Sequence, residues 1–389
     1  MPFKVLIVDD EPDLEVLIRQ RFRRKIKEGE FEFVFAHNGD EALTKLKEDP
    51  DLDVVMSDIN MPVMDGLTLL SRLTDINRVL KAVIVSAYGD LPNIRTAMNR
   101  GAYDFLVKPI DFQDFEVTLN KTIRELQTIK EGFKARERLT AIQNELSVAS
   151  RIQQSILPRE FPPFPSRNDF EIYAEMMPAR EVGGDFYDFF LIDRERLGIV
   201  IGDVSGKGVP AAILMAVSRT LLKATALQGI SAGECLHYVN VVLTKQSDPA
   251  MFVTIFYGIL HTNTGELEYS IGGHNPPYLF SPSGSITALK EPSGVIVGAF
   301  EHTAYQTGRI KLNPGDGIFL YTDGVTEAQD VDANEFSEAR LEDFLQRSVN
   351  TPVAEIVRDV IGEIRTFSAG APQADDITTL ALRYLGENF

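Results

Sequence analysis

A single cysteine, Cys235, stands in 389 residues, which excludes an internal disulfide and a zinc site built on cysteines. The five histidines are scattered singly, so no histidine metal motif is present either. No run approaches the roughly 18 apolar residues of a membrane span. The one apolar stretch near the N-terminus, Val5–Val8, runs straight into three acids, unlike a secretory signal. Positive charge is the minority: 39 Lys and Arg against 57 Asp and Glu leave a net charge of -18. Such a surface argues against a nucleic-acid partner, whose phosphates recruit basic patches. Internal repeats and low-complexity tracts are missing as well. What remains is a cytoplasmic chain with no membrane partner, too long for one ordinary core and suited to two domains and a connector.

Residues 1–111 alternate short β-rich runs (Val5–Val8, Phe31–Ala36, Val54–Met56, Ala82–Val85, Phe105–Val107) with segments of helical period. That alternation predicts a doubly wound parallel α/β sheet, whose ligands bind beyond the carboxyl ends of the strands. From 112 to 157 strand signals and prolines disappear. Leu119, Ile123, Leu126, Ile129 and Phe133 recur at helical spacing, and Leu139, Ile142, Leu146, Ala149 and Ile156 form a second stripe. The six-residue step from Phe133 to Leu139, beside Gly132, breaks the heptad. We read a long helical linker with a register break there, pairing as a coiled coil with a second copy; packing on its own domain is the alternative. Pro158, Pro162, Pro163 and Pro165 end it. Over 158–389, strand-like runs (Glu171–Ala174, Leu197–Val200, Met251–Leu260, Leu267–Ile271, Tyr278–Phe280, Ile318–Tyr321, Ile377–Arg383) fall in blocks apart from helical ones (Pro210–Leu227, Glu234–Leu243, Glu338–Arg347, Val353–Phe367), which predicts an α/β sandwich.

The second half carries its acids beside glycines. Val182-Gly-Gly-Asp185, Gly202-Asp-Val-Ser-Gly-Lys-Gly208 and Thr322-Asp-Gly324 are completed by Asp375-Asp376. Carboxylates so far apart in sequence are what a folded two-metal site needs, and two divalent cations about 3.5–4 Å apart can hold phosphate oxygens and activate water. A phosphatase is the first hypothesis. Asp203 is the candidate bridging ligand, with the Val204 backbone carbonyl beside it; Asp185 would ligate one ion, and Asp323 and Asp375 the other. Ligation by oxygen alone favours Mg²⁺ or Mn²⁺ over zinc.

In the first half, Asp9, Asp10, Asp58, Ser86 and Lys108 fall at the ends of successive apolar runs. A phosphoryl-accepting aspartate needs a cation and further donors around it. Asp58 is the candidate phosphoacceptor, Asp9 and Asp10 with the Asn60 backbone carbonyl the Mg²⁺ ligands, and Lys108 and Ser86 the partners of the phosphoryl group. Taken singly, Asp9, Asp10 and Glu11 could cap a helix, and Asp58 and Lys108 could form a plain ion pair. Together these residues resemble the receiver domains of bacterial two-component response regulators, over roughly residues 1–125. The resemblance implies that Phe105 is the rotating switch aromatic, that Lys108-Pro109 is a cis peptide, and that a sensor histidine kinase acts upstream.

Glu181-Val-Gly-Gly-Asp-Phe-Tyr-Asp188, Gly202–Gly208, Gly272-Gly-His-Asn-Pro-Pro277, Tyr321-Thr-Asp-Gly-Val-Thr-Glu327 and Asp375-Asp-Ile-Thr378 resemble the metal-dependent protein phosphatase 2C superfamily, in its bacterial branch of sigma-B regulator and sporulation stage II E phosphatases, over residues 145–389. The resemblance implies two Mg²⁺ or Mn²⁺ ions, direct hydrolysis of phosphoserine or phosphothreonine, and a phosphorylated anti-sigma antagonist of the STAS type as substrate. On the pattern Asp-Asp/Asn-X-Thr the last ligand is Asp375, with Asp376 the alternative. Eukaryotic relatives grip the phosphate with an arginine near the first strand; that role is not assigned to Arg180. His274 is read as a turn or packing residue before a general acid, and Lys207 as a solvated or loop-holding residue before a catalytic one. Thr326 and Glu327 either shape the site or cap a helix. Phosphorylation of Asp58 is expected to act through the linker, with the adjustment near Gly132. The competing reading is an adaptor with a dead phosphatase domain, and a receiver used only for dimerisation is a third.

Overall fold

The computed structural model describes all residues except 1, 77, 78, 88, 247–249 and 387–389. It divides into two compact units, Met1–Ile142 and Gln143–Phe389. In the first, strands β1 (Phe3–Val8), β2 (Phe31–Ala36), β3 (Leu52–Asp58), β4 (Lys81–Ala87) and β5 (Asp104–Lys108) form one sheet in the order β2-β1-β3-β4-β5. Every pairing is parallel. Helices α1 (Pro12–Arg21), α2 (Arg23–Lys27), α3 (Gly39–Glu48), α4 (Gly66–Leu73) and α5 (Leu91–Asn99) make the connections, and α6 (Phe112–Ile156) follows β5. Successive side chains of a strand point to opposite faces, and both faces are covered. Leu6 and Val8 enter one core with Leu46, Leu69 and Ala97, while Val5 and Ile7 enter another with Ile18, Phe22 and Phe115. Strand order reverses between β1 and β3, so their carboxyl ends flank the crevice where such sheets take ligands.

Helix α6 departs from the expected linker. Phe115, Leu119 and Ile123 belong to the core of the parallel sheet, and Leu126 is fully buried. Leu119, Ile123 and Leu126 of the first apolar stripe therefore pack within this unit, whereas Phe133 of the same stripe is exposed. Val117 is exposed, and Phe133, Leu139 and Ile142 further along the helix are exposed as well. The helix runs unbroken through Gly132, so the expected register break is a change of apolar face and not an interruption of the helix.

The second unit holds two sheets. Strands β6 (Phe170–Met177), β7 (Phe186–Leu191) and β8 (Arg196–Val204) precede helices α7 (Val209–Ala226) and α8 (Ala232–Gln246). Then come β9 (Val253–His261), β10 (Glu266–Gly272), β11 (Tyr278–Phe280), β12 (Ile286–Ala288), β13 (Ser293–Gly294), β14 (Gly308–Lys311), β15 (Gly317–Tyr321), α9 (Asp323–Thr326), α10 (Glu338–Ser348), α11 (Val353–Phe367) and β16 (Ile377–Tyr384). One sheet runs β13-β10-β9-β8-β7 with β14 on β10, and the other β12-β11-β15-β16-β6. Ile318, Leu320, Leu380 and Leu382 point into a core shared with Val200 and Phe256 of the first sheet. Their neighbours Phe319, Tyr321 and Ala381 point the other way, onto Leu341, Val357 and Ile361 of α10 and α11. This is an α/β sandwich. Strand β7, with five of its six residues buried, follows the Gly-Gly-Asp motif and was not anticipated, nor were the short β12, β13 and β14.

Against the expectation that no run approaches a membrane span, helix α7 is long and apolar enough for one by length and composition alone. Its two charges, Arg219 and Lys223, reach Asp188 Oδ2 at 2.7 and 3.3 Å, and Leu214, Met215 and Leu222 are buried in the core. Asp188 is itself fully buried. Burial pushes its carboxyl above the usual range, against the pull of the two cations. This triad pins α7 to β7.

Between β3 and α4, Val63 has a left-handed backbone (φ 68°) and is 86% exposed. A β-branched side chain in that region is strained by roughly 1–2 kcal/mol, whereas asparagine tolerates it. No packing is lost on replacement. Val63→Asn is expected to raise the stability of the parallel-sheet unit by about 1 kcal/mol, read as an upward shift of its calorimetric transition.

Candidate active site

Two acidic sites form, one in each unit. In the first, Asp9 and Asp10 leave the end of β1 and Asp58 ends β3, at the crevice. One oxygen from each of the three lies within 4.8 Å of the others, the hard donor set that Mg²⁺ takes. Lys108 Nζ, from the end of β5, lies 2.8 Å from Asp58 Oδ2 and 3.0 Å from both Asp9 and Glu11. Burial works against its charge, but the three carboxylates outweigh burial and hold the ammonium above its ordinary value. Burial raises the Asp9 carboxyl, and its Oδ1 accepts from the Glu11 backbone N–H at 2.9 Å. Ser86 Oγ is buried without a hydrogen-bond partner. Phe105 is 39% exposed, and Lys108-Pro109 is cis. The Asn60 backbone N–H donates to Asp58 Oδ1 at 3.4 Å.

In the second unit, Asp185 precedes β7, Asp203 lies near the end of β8, Asp323 opens α9 and Asp375 precedes β16. Asp185 is buried, and its Oδ2 accepts from the Thr322 and Thr378 hydroxyls at 2.7 and 2.6 Å. Burial first, then the charges of Asp203 and Asp376, push it well above the carboxylate range. Asp203 shares a hydrogen bond with Asp185; burial and the charge of Asp323 push it up to about 7. Asp323 is raised by burial and by Asp375. Burial and mutual charge together raise these carboxyls, and a bound cation would relieve both effects. Among the described residues no three of these carboxylates bring ligand oxygens within 4.8 Å of one another.

The paired acids at 375 and 376 separate in role. Asp376 is buried; Oδ1 accepts from Ala179 N–H at 2.7 Å and Oδ2 from Gly184 N–H at 2.6 Å, with Asp185 N–H at 3.4 Å. Asp375 is half-exposed and lines a cleft of about 480 Å³ with Lys207, Gly324 and Glu327. A carboxylate occupied by backbone donors has little left for a metal, which favours Asp375 as the ligand. The glycines are needed for close approach: a Cβ on Gly183 would overlap the Asp376 carboxylate, one on Gly324 the Asp376 carbonyl, and one on Gly184 would come 2.8 Å from the Val204 carbonyl. That carbonyl therefore faces the Gly-Gly-Asp loop.

His274 is buried, with Nδ1 2.9 Å from Thr254 Oγ1. Burial lowers it to about 4, so the imidazole is neutral at pH 7 and suits packing rather than proton donation. Lys207 holds the loop at Ala374. Thr326 Oγ1 donates to the Asp323 carbonyl at 3.1 Å. Sequence reasoning missed Thr322 and Thr378, whose signal was their place inside the Thr-Asp-Gly and Asp-Asp-Ile-Thr motifs. It also missed Gln153, near the end of α6. Its buried amide donates to the Gly183 carbonyl at 2.6 Å and accepts from the Gly183 N–H at 3.1 Å, two residues from Asp185.

Comparison with known proteins agrees with this geometry. A family model described as response regulator receiver domain matches residues 5–120, and one described as stage II sporulation protein E matches 193–385. Chemotaxis protein CheY of Bacillus subtilis is 38% identical over 125 residues, covering 32% of this chain and 99% of CheY. The chain belongs to the response-regulator receiver family. Its second half is a SpoIIE-type, PP2C-like phosphatase domain. Phosphoserine phosphatase RsbU of Bacillus subtilis is 28% identical over 243 residues, 62% of this chain and 70% of RsbU. Protein IcfG of Synechocystis is 32% identical over 268 residues, 61% of this chain, and the chain spans only 41% of IcfG. The solved RsbU and RsbW domains of Rv1364c from Mycobacterium tuberculosis match at 28% identity with a TM-score of 0.50, covering 57% of this chain and 61% of that one.

Two outcomes are expected of this response regulator. A carboxyl whose folded pKa lies above its unfolded value binds more protons when folded, so it loses stability as pH rises from about 4 through about 7. A divalent cation replaces those protons. The rise in Tm on adding Mn²⁺ should therefore grow between about pH 5 and pH 8, measured by thermal melts against EDTA controls. Gln153→Ala should keep the fold but loosen the loop carrying Asp185, weakening Mn²⁺ binding about tenfold, measured by calorimetric titration.

Proposed function

We propose that this response regulator is a metal-dependent protein-serine/threonine phosphatase controlled by phosphorylation of Asp58, acting on a phosphorylated anti-sigma antagonist of the STAS type in a partner-switching pathway. The observation that carries it is the presence, in one chain, of Asp9, Asp10 and Asp58 with carboxylate oxygens within 4.8 Å of one another beside Lys108, and of the mutually interacting carboxylates Asp185, Asp203, Asp323 and Asp375. In the receiver, Asp58 accepts the phosphoryl group from a sensor histidine kinase, Lys108 and the unpartnered Ser86 hydroxyl receive its oxygens, and Asp9, Asp10, Asp58 and the Asn60 carbonyl would hold Mg²⁺. Phe105 turns inward in response. In the phosphatase domain, Asp185, Asp203 with the Val204 carbonyl, Asp323 and Asp375 are the residues that would hold two Mg²⁺ or Mn²⁺ ions. Bound divalent cations supply the activated water and neutralise phosphoryl oxygens. The protein's part is to hold their ligands in place: Thr322 and Thr378 orient Asp185, and Asp376 clamps the loop that carries it.

Control reaches the cleft through α6. That helix starts in the receiver core and ends with Gln153 paired to Gly183, so a change in its pairing or position bears directly on Asp185. The exposed residues from Phe133 to Ile152 serve as the seam of a homodimer. Phosphorylation must favour one helix arrangement by a few kcal/mol to shift the population substantially. That RsbU is a phosphoserine phosphatase supports the reaction, and the domain pairing and the scarcity of basic residues support a cytoplasmic protein substrate over a nucleic acid.

The test is Mn²⁺-dependent hydrolysis of a generic phosphatase substrate and of a phosphoserine antagonist protein, with and without beryllofluoride. Turnover should rise with beryllofluoride, the rise should vanish in Asp58→Ala, and Asp203→Asn should lose about three orders of magnitude. No turnover in any state, with fold and metal binding verified, would establish the adaptor reading instead.

A further inference from the structure

Lys207 lies at the tip of the loop that follows Asp203, between Gly206 and Gly208. Both glycines have positive φ, 89° and 79°, and a Cβ on either would meet nothing. Backbone conformation, not crowding, calls for them, and it presents the lysine to the cleft. The ammonium donates to the Ala374 carbonyl at 2.6 Å and lies 2.8 Å from Asp375 Oδ2. The side chain is still 40% exposed, and its charge is felt at Asp323 and Glu327. Among the described residues lining the cleft, the other cation, Arg365, is turned onto the Met177 sulfur.

We propose that Lys207 has two successive roles: in the cation-free protein it stands in for a divalent ion at Asp375, and in the loaded protein it binds the substrate's phosphate. This deepens the phosphatase reading and rests on it. An exposed lysine–carboxylate pair contributes only about 0–1 kcal/mol, so a divalent ion displaces it readily. The released ammonium is a point charge on a flexible stem, rooted at the edge of the cleft, and a phosphate monoester dianion is its natural partner. The consequence is a pair of opposite effects. Without the lysine, divalent ions lose a competitor and bind more tightly, while phosphate loses a partner and binds more weakly. A lysine that merely tied the two loops together would, on removal, loosen the ligands and weaken both.

The experiment is calorimetric titration of the full chain with Mn²⁺ alone, then with inorganic phosphate at saturating Mn²⁺, for wild type, Lys207→Met and Lys207→Arg. Cation binding by the receiver is common to all three. Lys207→Met should bind Mn²⁺ several-fold more tightly and phosphate about tenfold more weakly, with Lys207→Arg restoring phosphate binding. Weaker or unchanged Mn²⁺ binding by Lys207→Met overturns the stand-in role, and unchanged phosphate binding overturns the phosphate role. Both readouts are independent of turnover. A wild type that shows the expected binding yet hydrolyses nothing removes the phosphatase reading and leaves Lys207 as a phosphate-binding residue.

Discussion

Asp376 donates nothing and accepts from the backbone of Ala179, Gly184 and Asp185, and the arrangement of the phosphatase cleft depends on that clamp. A buried carboxylate is costly unless its oxygens are satisfied, and here the satisfying groups are backbone N–H donors of the segment leading to β7. The bond therefore ties the start of β16 to the Gly-Gly-Asp loop across nearly 200 residues of chain. It can form only because Gly183 and Gly324 leave room for the Asp376 side chain and carbonyl. Asp185 is delivered by the same contact, and the Thr322 and Thr378 hydroxyls, at the ends of paired strands β15 and β16, complete its orientation.

With geometry settled by the clamp, the chemistry follows from repulsion. Asp185, Asp203 and Asp323 are held where each raises the proton affinity of its neighbours. The scaffold bears that unfavourable field through two large cores and the buried Asp188–Arg219–Lys223 triad. The receiver crevice solves a similar problem differently, because Lys108 already neutralises Asp9 and Asp58. One site has a lysine within hydrogen-bonding distance of its acids; in the other, Lys207 reaches only Asp375 at the margin.

Helix α6 joins these two chemistries. Its first turns are receiver core and Gln153, near its end, grips the Gly183 backbone, so neither end is a passive spacer. The helix is built into the receiver core at one end and carries, near the other, the amide that is hydrogen-bonded to Gly183.

Much was legible in the chain itself. Hydrophobic periodicity and the turn residues located every strand of the receiver and most of the sandwich, because a strand buried on one or both faces must repeat its apolar residues at a spacing set by backbone geometry. The acidic motifs marked Asp58, Asp185, Asp203, Asp323 and Asp375 as candidates, because carboxylates that converge repel one another unless a cation neutralises them. What periodicity cannot carry is partnership across the chain. That Phe115, Leu119 and Ile123 of α6 close the receiver core, that β7 is a strand inside a motif, that Gln153 reaches Gly183, and that Asp376 holds backbone while Asp375 faces the cleft were decided only by tertiary structure. Each depends on which distant groups arrive within hydrogen-bonding or packing distance once the two sheets have stacked.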